Sequence, residues 1–167
     1  MPSSRTLVLD HNAISQKIKR ITYQIYERNY KEKEIVLVAV EKKGVELAAR
    51  IESQLQEVSG MKVKTINLTI NKKEPLKPVK LSEDGEELKN KAVVLIDDVL
   101  NSGKTLIYAA RHILNYPVKK LITVVLVDRR HRRYPIKADF AGLTLSTTLQ
   151  DHISVEFKKG NDKVYLE

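Results

Sequence analysis

Apolar residues recur along this chain with two periods, one helical and one extended. Between residues 11 and 29, Ile14, Ile18, Ile21 and Ile25 share one face at helical spacing, while Lys17, Arg20, Gln24 and Arg28 line another. This predicts an amphipathic helix, which Asp10 or Asn12 can cap. Glu34 to Val40 is a short apolar run that reads as a strand. Gly44 then opens a second helix with Leu47, Ala48, Ile51 and Leu55 inward, ended by Ser59 and Gly60. Ile66, Leu68 and Ile70 alternate, which marks another strand with Met61 to Thr65 as its lead-in.

From Asn71 to Asn90 the pattern lapses. This stretch is polar, has prolines at 75 and 78 and a charged run from Glu83 to Lys91, and reads as a flexible loop or lid. Val93, Val94, Leu95 and Ile96 then form a continuous apolar run, as suits a strand of a parallel sheet covered on both faces. Leu106, Ala109, Ala110 and Ile113 give a helix running to about Asn115, and Leu121 to Val127 a further strand. Phe140 to Leu145 and Ile153 to Phe157 read as short final strands. Strands alternating with helices imply an α/β fold: a mostly parallel, twisted sheet flanked by helices. All 167 residues are expected to form one domain, with a flexible loop at about 71–90.

The junction between the Val93–Ile96 strand and its helix carries the chemistry. It reads Asp97, Asp98, Val99, Leu100, Asn101, Ser102, Gly103, Lys104, Thr105. Amides at a helix start lack intrahelical partners and sit at the positive end of the helix dipole, so they suit a phosphate. Gly103 permits close backbone approach, Ser102 and Thr105 offer hydroxyls, and Lys104 is a point charge. The spaced glycine of G-x-x-x-x-G-K-S/T is absent, because position 98 is aspartate, so this is not a Walker loop. Adjacent carboxylates would repel a phosphate, which gives them another purpose: binding vicinal hydroxyls, directly or through magnesium. A plain turn and helix cap would use the same residue types. Lys42, Lys43 and Gly44, between the second strand and helix, repeat the anion-cradle arrangement.

Composition narrows the classes. Zero cysteines exclude disulfides, thiolate nucleophiles and cysteine-ligated metal sites. There is no apolar run of about 18 residues, and Met-Pro-Ser-Ser-Arg lacks a signal-peptide core, so a cytoplasmic protein is expected. The net charge of +9 fits either a polyanionic partner such as RNA or a solvated lysine-rich surface. With two phenylalanines and no tryptophan, the stacking platform of a single-strand binder is missing. His11, His112, His131 and His152 are isolated from one another and read as non-metal residues.

The Asp97–Thr105 segment resembles the phosphoribosyl-pyrophosphate (PRPP) signature of type I phosphoribosyltransferases. It is nearest the PyrR-type family of pyrimidine operon regulators and uracil phosphoribosyltransferases. The stretch from Leu126 to Gly142, with Asp128, Arg129, His131, Arg132, Pro135, Ile136, Ala138, Asp139 and Phe140, is similar to that family's Val-Asp-Arg-Gly-His-Arg-x-x-Pro-Ile-Arg-Ala-Asp-Phe-x-Gly. The likeness extends more weakly over nearly the whole chain. It implies a type I phosphoribosyltransferase-like fold with a hood loop, and PRPP binding by Asp97, Asp98, Val99, Leu100, Asn101, Ser102, Gly103, Lys104 and Thr105. Asp98 would act nearest the anomeric carbon, and Asp97 and Asp98 would engage magnesium indirectly. Pyrophosphate would be held by Lys42, Lys43 and Gly44, and the base by Asp128 and Arg129.

Several positions depart from the family pattern. Lys42 and Lys43 replace Thr-Arg, keeping charge but losing the bidentate fork. Asn71, Lys72 and Lys73 replace the Tyr-Arg-Asp that opens the family's hood, so if its arginine neutralises the leaving pyrophosphate, either Lys72 or Lys73 substitutes for it or activity is reduced. Arg130 replaces a glycine, a change expected to crowd the base pocket or alter the backbone geometry there. The resemblance implies an enzyme making uridine monophosphate and diphosphate from uracil and PRPP with Mg2+, as a homodimer or higher homo-oligomer. The alternatives are a nucleotide-sensing RNA-binding attenuator, for which Lys17, Lys19, Arg20 and Arg28 are the candidate contacts, and a purine-class transferase.

Overall fold

A computed structural model describes residues 4–167. The elements follow in order as β1 (Thr6–Leu9), α1 (His11–Asn29), β2 (Glu34–Val40), α2 (Lys43–Val58), β3 (Lys62–Thr69) and β4 (Lys80–Leu81). A 3-10 turn (Gly85–Leu88) leads into β5 (Ala92–Leu100), α3 (Lys104–Ile113), β6 (Lys120–Asp128), β7 (Phe140–Thr144), β8 (Ile153–Glu156) and β9 (Lys163–Leu166). Six strands form the main sheet in the order β4-β3-β2-β5-β6-β7, parallel throughout except for β4, which runs antiparallel to β3. Each central strand is apolar on both faces because both are covered. Ile35, Leu37 and Ala39 of β2 face α1 and α2, whereas Val36, Val38 and Val40 face α3 and the 3-10 turn.

The helices form where the spacing predicts. Asp10 caps α1 by accepting from the Ala13 amide at 2.8 Å, and Ile14, Ile18, Ile21 and Ile25 are all buried. Two polar residues on the same helix, Thr22 and Asn29, are also buried. They return their donors to the Ile18 and Ile25 carbonyls at 2.9 and 2.8 Å.

Two features depart from the reading of the pattern. First, β1, β9 and β8 form a separate three-stranded antiparallel sheet, with β9 in the middle. Thr6–Leu9 and Lys163–Leu166 were too short to mark themselves as strands, and long-range pairing alone makes them so. Second, the 71–90 segment is not one irregular loop. Its later half pairs β4 with β3 and buries Leu88 in the core beside α3. Residues 71–79 form the longest stretch of it without regular structure. The 80–90 half looked polar because a single buried leucine anchors it.

Candidate functional site

β5 continues past its apolar stretch, through Asp97 and Asp98 to Leu100, so both carboxylates lie at the strand's C-terminal end. There, at the carboxyl edge of the parallel sheet, is a cavity of about 430 Å³. Its walls bring together Asp97, Asp98 and the Asn101–Thr105 turn with Lys42, Lys43 and Lys72, and with His152 and Ile153 at the start of β8.

The turn has the shape that an anion cradle needs. Gly103 sits at φ +88°, where a side chain is strained, and a Cβ there would lie 2.8 Å from Ile136 Cγ2. Ser102 Oγ accepts from the Lys104 amide at 3.2 Å, and the Ser102 carbonyl accepts from the amides of Arg133 (2.8 Å) and Tyr134 (3.1 Å). The 130–136 segment therefore braces the turn from behind. The first amides of α3 have no carbonyl ahead of them in the helix, and Lys104, Thr105 and Leu106 all border the cavity. Val99 and Leu100 contribute through the backbone, since their side chains pack into the core on opposite faces of β5.

The second cradle is made by close packing. A Cβ on Gly44 would stand 2.8 Å from the Ile96 carbonyl and 3.3 Å from Asp97 Cα. The start of α2 is thus pressed against β5 beside Asp97, and the exposed Lys42 and Lys43 side chains border the cavity just before it. The Glu41–Lys42 peptide bond is cis.

The two aspartates differ in setting. Asp97 is 3% exposed, and its Oδ1 accepts from the Asp98 amide at 2.8 Å. Burial, and then the neighbouring Asp98 charge, push its carboxyl well above the usual range, against the pull of Lys72. Asp98 is half-buried and reaches the cavity. Of the two hood lysines, Lys72 borders the cavity, whereas Lys73 lines a neighbouring groove with Tyr108 and Tyr134.

The structure does not bring Asp128 and Arg129 into this cavity. Both are buried and engaged internally. Asp128 accepts from the Arg130 amide at 2.9 Å and from Arg132 at 2.6 Å. The Arg129 guanidinium donates to Asn101 Oδ1 (2.9 Å), Thr147 Oγ1 (3.1 Å) and the Thr148 (3.2 Å) and Asp151 carbonyls, leaving little to offer a base. Neither of the two residues expected to meet the base thus lines the cavity, and their hydrogen bonds run within the protein. Arg130 takes φ +61°, the left-handed conformation that the family's glycine adopts freely.

Among the basic residues of α1, Arg20 donates to the Ala141 and Gly142 carbonyls at 3.0 and 2.7 Å, and Arg28 stacks over the Phe140 ring. These two tie α1 to β7 while remaining exposed, as Lys19 is, and Lys17 is half-buried. Sequence reasoning missed Glu41, His152 and Ile153 in the cavity wall. No motif marks them: His152 and Ile153 are placed by how the small sheet docks, and Glu41 by following β2 directly.

A mostly parallel sheet with a carboxylate pair, a small-residue turn and two helix starts at one edge is the arrangement expected of a type I phosphoribosyltransferase. The phosphoribosyl transferase domain family matches residues 4–158. The chain is 36% identical over 161 residues to the Bifunctional protein PyrR of Clostridium acetobutylicum, covering 90% of this chain and 89% of that protein. It is 38% identical over 168 residues to the Bifunctional protein PyrR 2 of Lactiplantibacillus plantarum, covering 95% and 97%. Among solved structures, the hypoxanthine phosphoribosyltransferase of Trypanosoma cruzi in complex with IMP superposes with a TM-score of 0.76, at 19% identity, over 90% of this chain and 83% of that one. That likeness bears on the fold alone. The chain belongs to the type I phosphoribosyltransferases, a family of pentosyltransferase enzymes, and within them to the PyrR type. Among the described residues, no helix is long and apolar enough to cross a membrane.

Proposed function

We propose that this protein transfers the phosphoribosyl group of PRPP to uracil, forming uridine monophosphate and diphosphate. One observation carries the reading. A buried-to-half-buried carboxylate pair and an amide-lined turn face one cavity, with two lysines and a helix start on its far side. PRPP has the matching parts: a 5-phosphate, two ribose hydroxyls and a pyrophosphate. The base is assigned as uracil because several relatives are named PyrR or pyrimidine operon regulatory protein.

In this reading the Asn101–Thr105 turn holds the 5-phosphate through backbone amides, hydroxyls and the Lys104 charge. Asp98 engages the ribose hydroxyls close to the anomeric carbon, where positive charge develops as the pyrophosphate bond breaks. Lys42, Lys43 and the Gly44 amide receive the departing pyrophosphate, and Lys72 closes on it from above. Asp97 orients Asp98 through the amide it binds. The cleft fixes sugar and base in line, which supplies much of the acceleration without covalent chemistry. Two oxygen-only carboxylate donors beside a pyrophosphate cradle suit Mg2+, which binds proteins through one or two carboxylates plus substrate oxygens. When bound, it neutralises charge on the leaving group. PRPP is an intracellular metabolite, so this reading puts the protein in the cytoplasm, and the family likeness supports a homodimer or larger homo-oligomer.

A second reading, an RNA-binding attenuator, is favoured by the +9 net charge and by the regulator names among the relatives. The deciding experiment gives the purified protein PRPP, Mg2+ and, in separate reactions, uracil, hypoxanthine and guanine. Uridine monophosphate formation is expected, and Asp97→Asn/Asp98→Asn should lose it while keeping its circular-dichroism spectrum. Product from a purine alone moves the chain to the purine class. No product from any base, together with salt-sensitive retardation of a pyrimidine-leader RNA, leaves the attenuator.

A further inference from the structure

Arg129 stands apart from the chain's other arginines. It is 8% exposed, it follows the last residue of β6, and its guanidinium reaches two segments far apart in the chain. One nitrogen donates to Asn101 Oδ1 at 2.9 Å, in the phosphate turn. Nε donates to Thr147 Oγ1 at 3.1 Å, and the remaining nitrogen donates to the Thr148 and Asp151 carbonyls. The Arg129 amide also donates to the Leu100 carbonyl at 3.0 Å, so its own backbone is registered against the residue before Asn101.

The 147–151 segment it grips is folded tightly around it. The Asp151 carboxylate accepts from the Thr148 amide at 2.7 Å, and the His131 ring meets the Thr147 carbonyl. Immediately after Asp151 come His152 and Ile153, the residues that carry the small sheet's edge to the cavity wall. A single buried cation therefore joins the phosphate turn to the segment that leads directly into the His152–Ile153 part of the cavity wall. Arginine suits this task, because its planar fork serves several acceptors in fixed directions, whereas a lysine ammonium is one flexible point.

We propose that Arg129 is a positioning residue that couples the two halves of the substrate cavity. It sets the Asn101 end of the phosphate turn and the His152–Ile153 wall as one unit, so that seating the sugar phosphate prepares the wall for the base. This rests on the phosphoribosyl-transfer reading above. Arg129 touches no substrate in this role and acts through Asn101 and the 147–151 segment.

The test is a set of variants read on KM for PRPP, KM for the base and kcat, with Mg2+ present. Arg129→Lys is expected to raise both KM values and lower kcat, by roughly tenfold in kcat/KM, because a small misplacement of a binding loop is costly. Asn101→Ala and Thr147→Val share no hydrogen bond with each other, only Arg129. Their effects on kcat/KM are expected to be non-additive by at least about threefold, the signature of a shared partner. If Arg129→Lys fails to fold, that pair still decides the matter. Additive effects of Asn101→Ala and Thr147→Val, or an Arg129→Lys variant that loses melting temperature but keeps both KM values, would overturn the proposal. Failure of the functional reading looks different: the wild-type chain then makes no product from any base. In that case the same variants are compared by PRPP affinity in calorimetry, where additivity again counts against the coupling. Wild type that binds no PRPP overturns both.

Discussion

Asp97 places a carboxylate where β5 is buried on both faces, and the chain bears a stability penalty for it. Its carboxyl is pushed well above the usual range, first by burial and then by Asp98. For an acid whose folded value is raised, the native state holds its proton to higher pH than the unfolded chain does. The stabilising contribution is therefore complete below the unfolded value of about 3.9 and is lost as pH rises through the raised native value. Asparagine carries no charge at any pH and still accepts from the Asp98 amide. Asp97→Asn is thus expected to melt a few degrees above wild type at about pH 8, with the gap closing near pH 4. Thermal melts across that range check it, and a gap independent of pH would refute it. The same substitution should weaken turnover, so stability and activity are opposed at this residue. Residue types were legible here in the sequence: two adjacent aspartates before a small-residue turn point to sugar hydroxyls beside phosphate. Their unequal burial was not, since it depends on how far α2 closes over the strand.

At the scale of elements, the phosphate turn and the start of α2 are both placed by glycines whose neighbours leave no room for a side chain. Gly44 is the sharper case, with the Ile96 carbonyl 2.8 Å from where a Cβ would stand and Asp97 Cα next to it. Both neighbours are backbone atoms of a central strand and cannot swing aside. Gly44→Ala is expected to push α2 off β5, destabilising the fold by about 1–3 kcal/mol as overpacking does. It should also raise KM for PRPP more than Gly60→Ala, because a Cβ at Gly60 would meet nothing within 4 Å. Denaturant unfolding and PRPP titration of the two variants make the comparison. The helix, strand and turn types around these glycines follow from apolar spacing, which is why α1, β2, α2, β5, α3 and β6 sit where the pattern puts them. Arg129 shows the limit of such reading. Its place after a strand suggested a ligand contact, and only the docked 147–151 segment reveals that its donors are already committed.

The molecule as a whole combines a six-stranded, mostly parallel sheet with a three-stranded antiparallel one whose strands are four residues long. The first is sealed by two apolar layers. The second is short and secured at its rim by the Arg5 contacts to Glu156 and Glu167, which are surface ion pairs of small worth. Native-state hydrogen exchange is expected to show β1, β8 and β9 opening more readily than β2, β5 and β6, with PRPP and Mg2+ slowing exchange at residues 101–105 and near His152. Equal protection of the two sheets would contradict this account.

By itself, the sequence determined the α/β class, the order of the long elements and the carboxylate–turn motif, because periodicity and local turn chemistry act over a few neighbouring residues. It also determined the family, through residues that sit together in the chain. Tertiary structure alone decided that β1 and β9 are strands, that Leu88 anchors residues 80–90 to the core, and which of Lys72 and Lys73 borders the cavity. It likewise turned Arg129 inward and brought His152 to the wall. Each of these depends on contacts between segments far apart in the chain, and no local pattern of residues records such a contact.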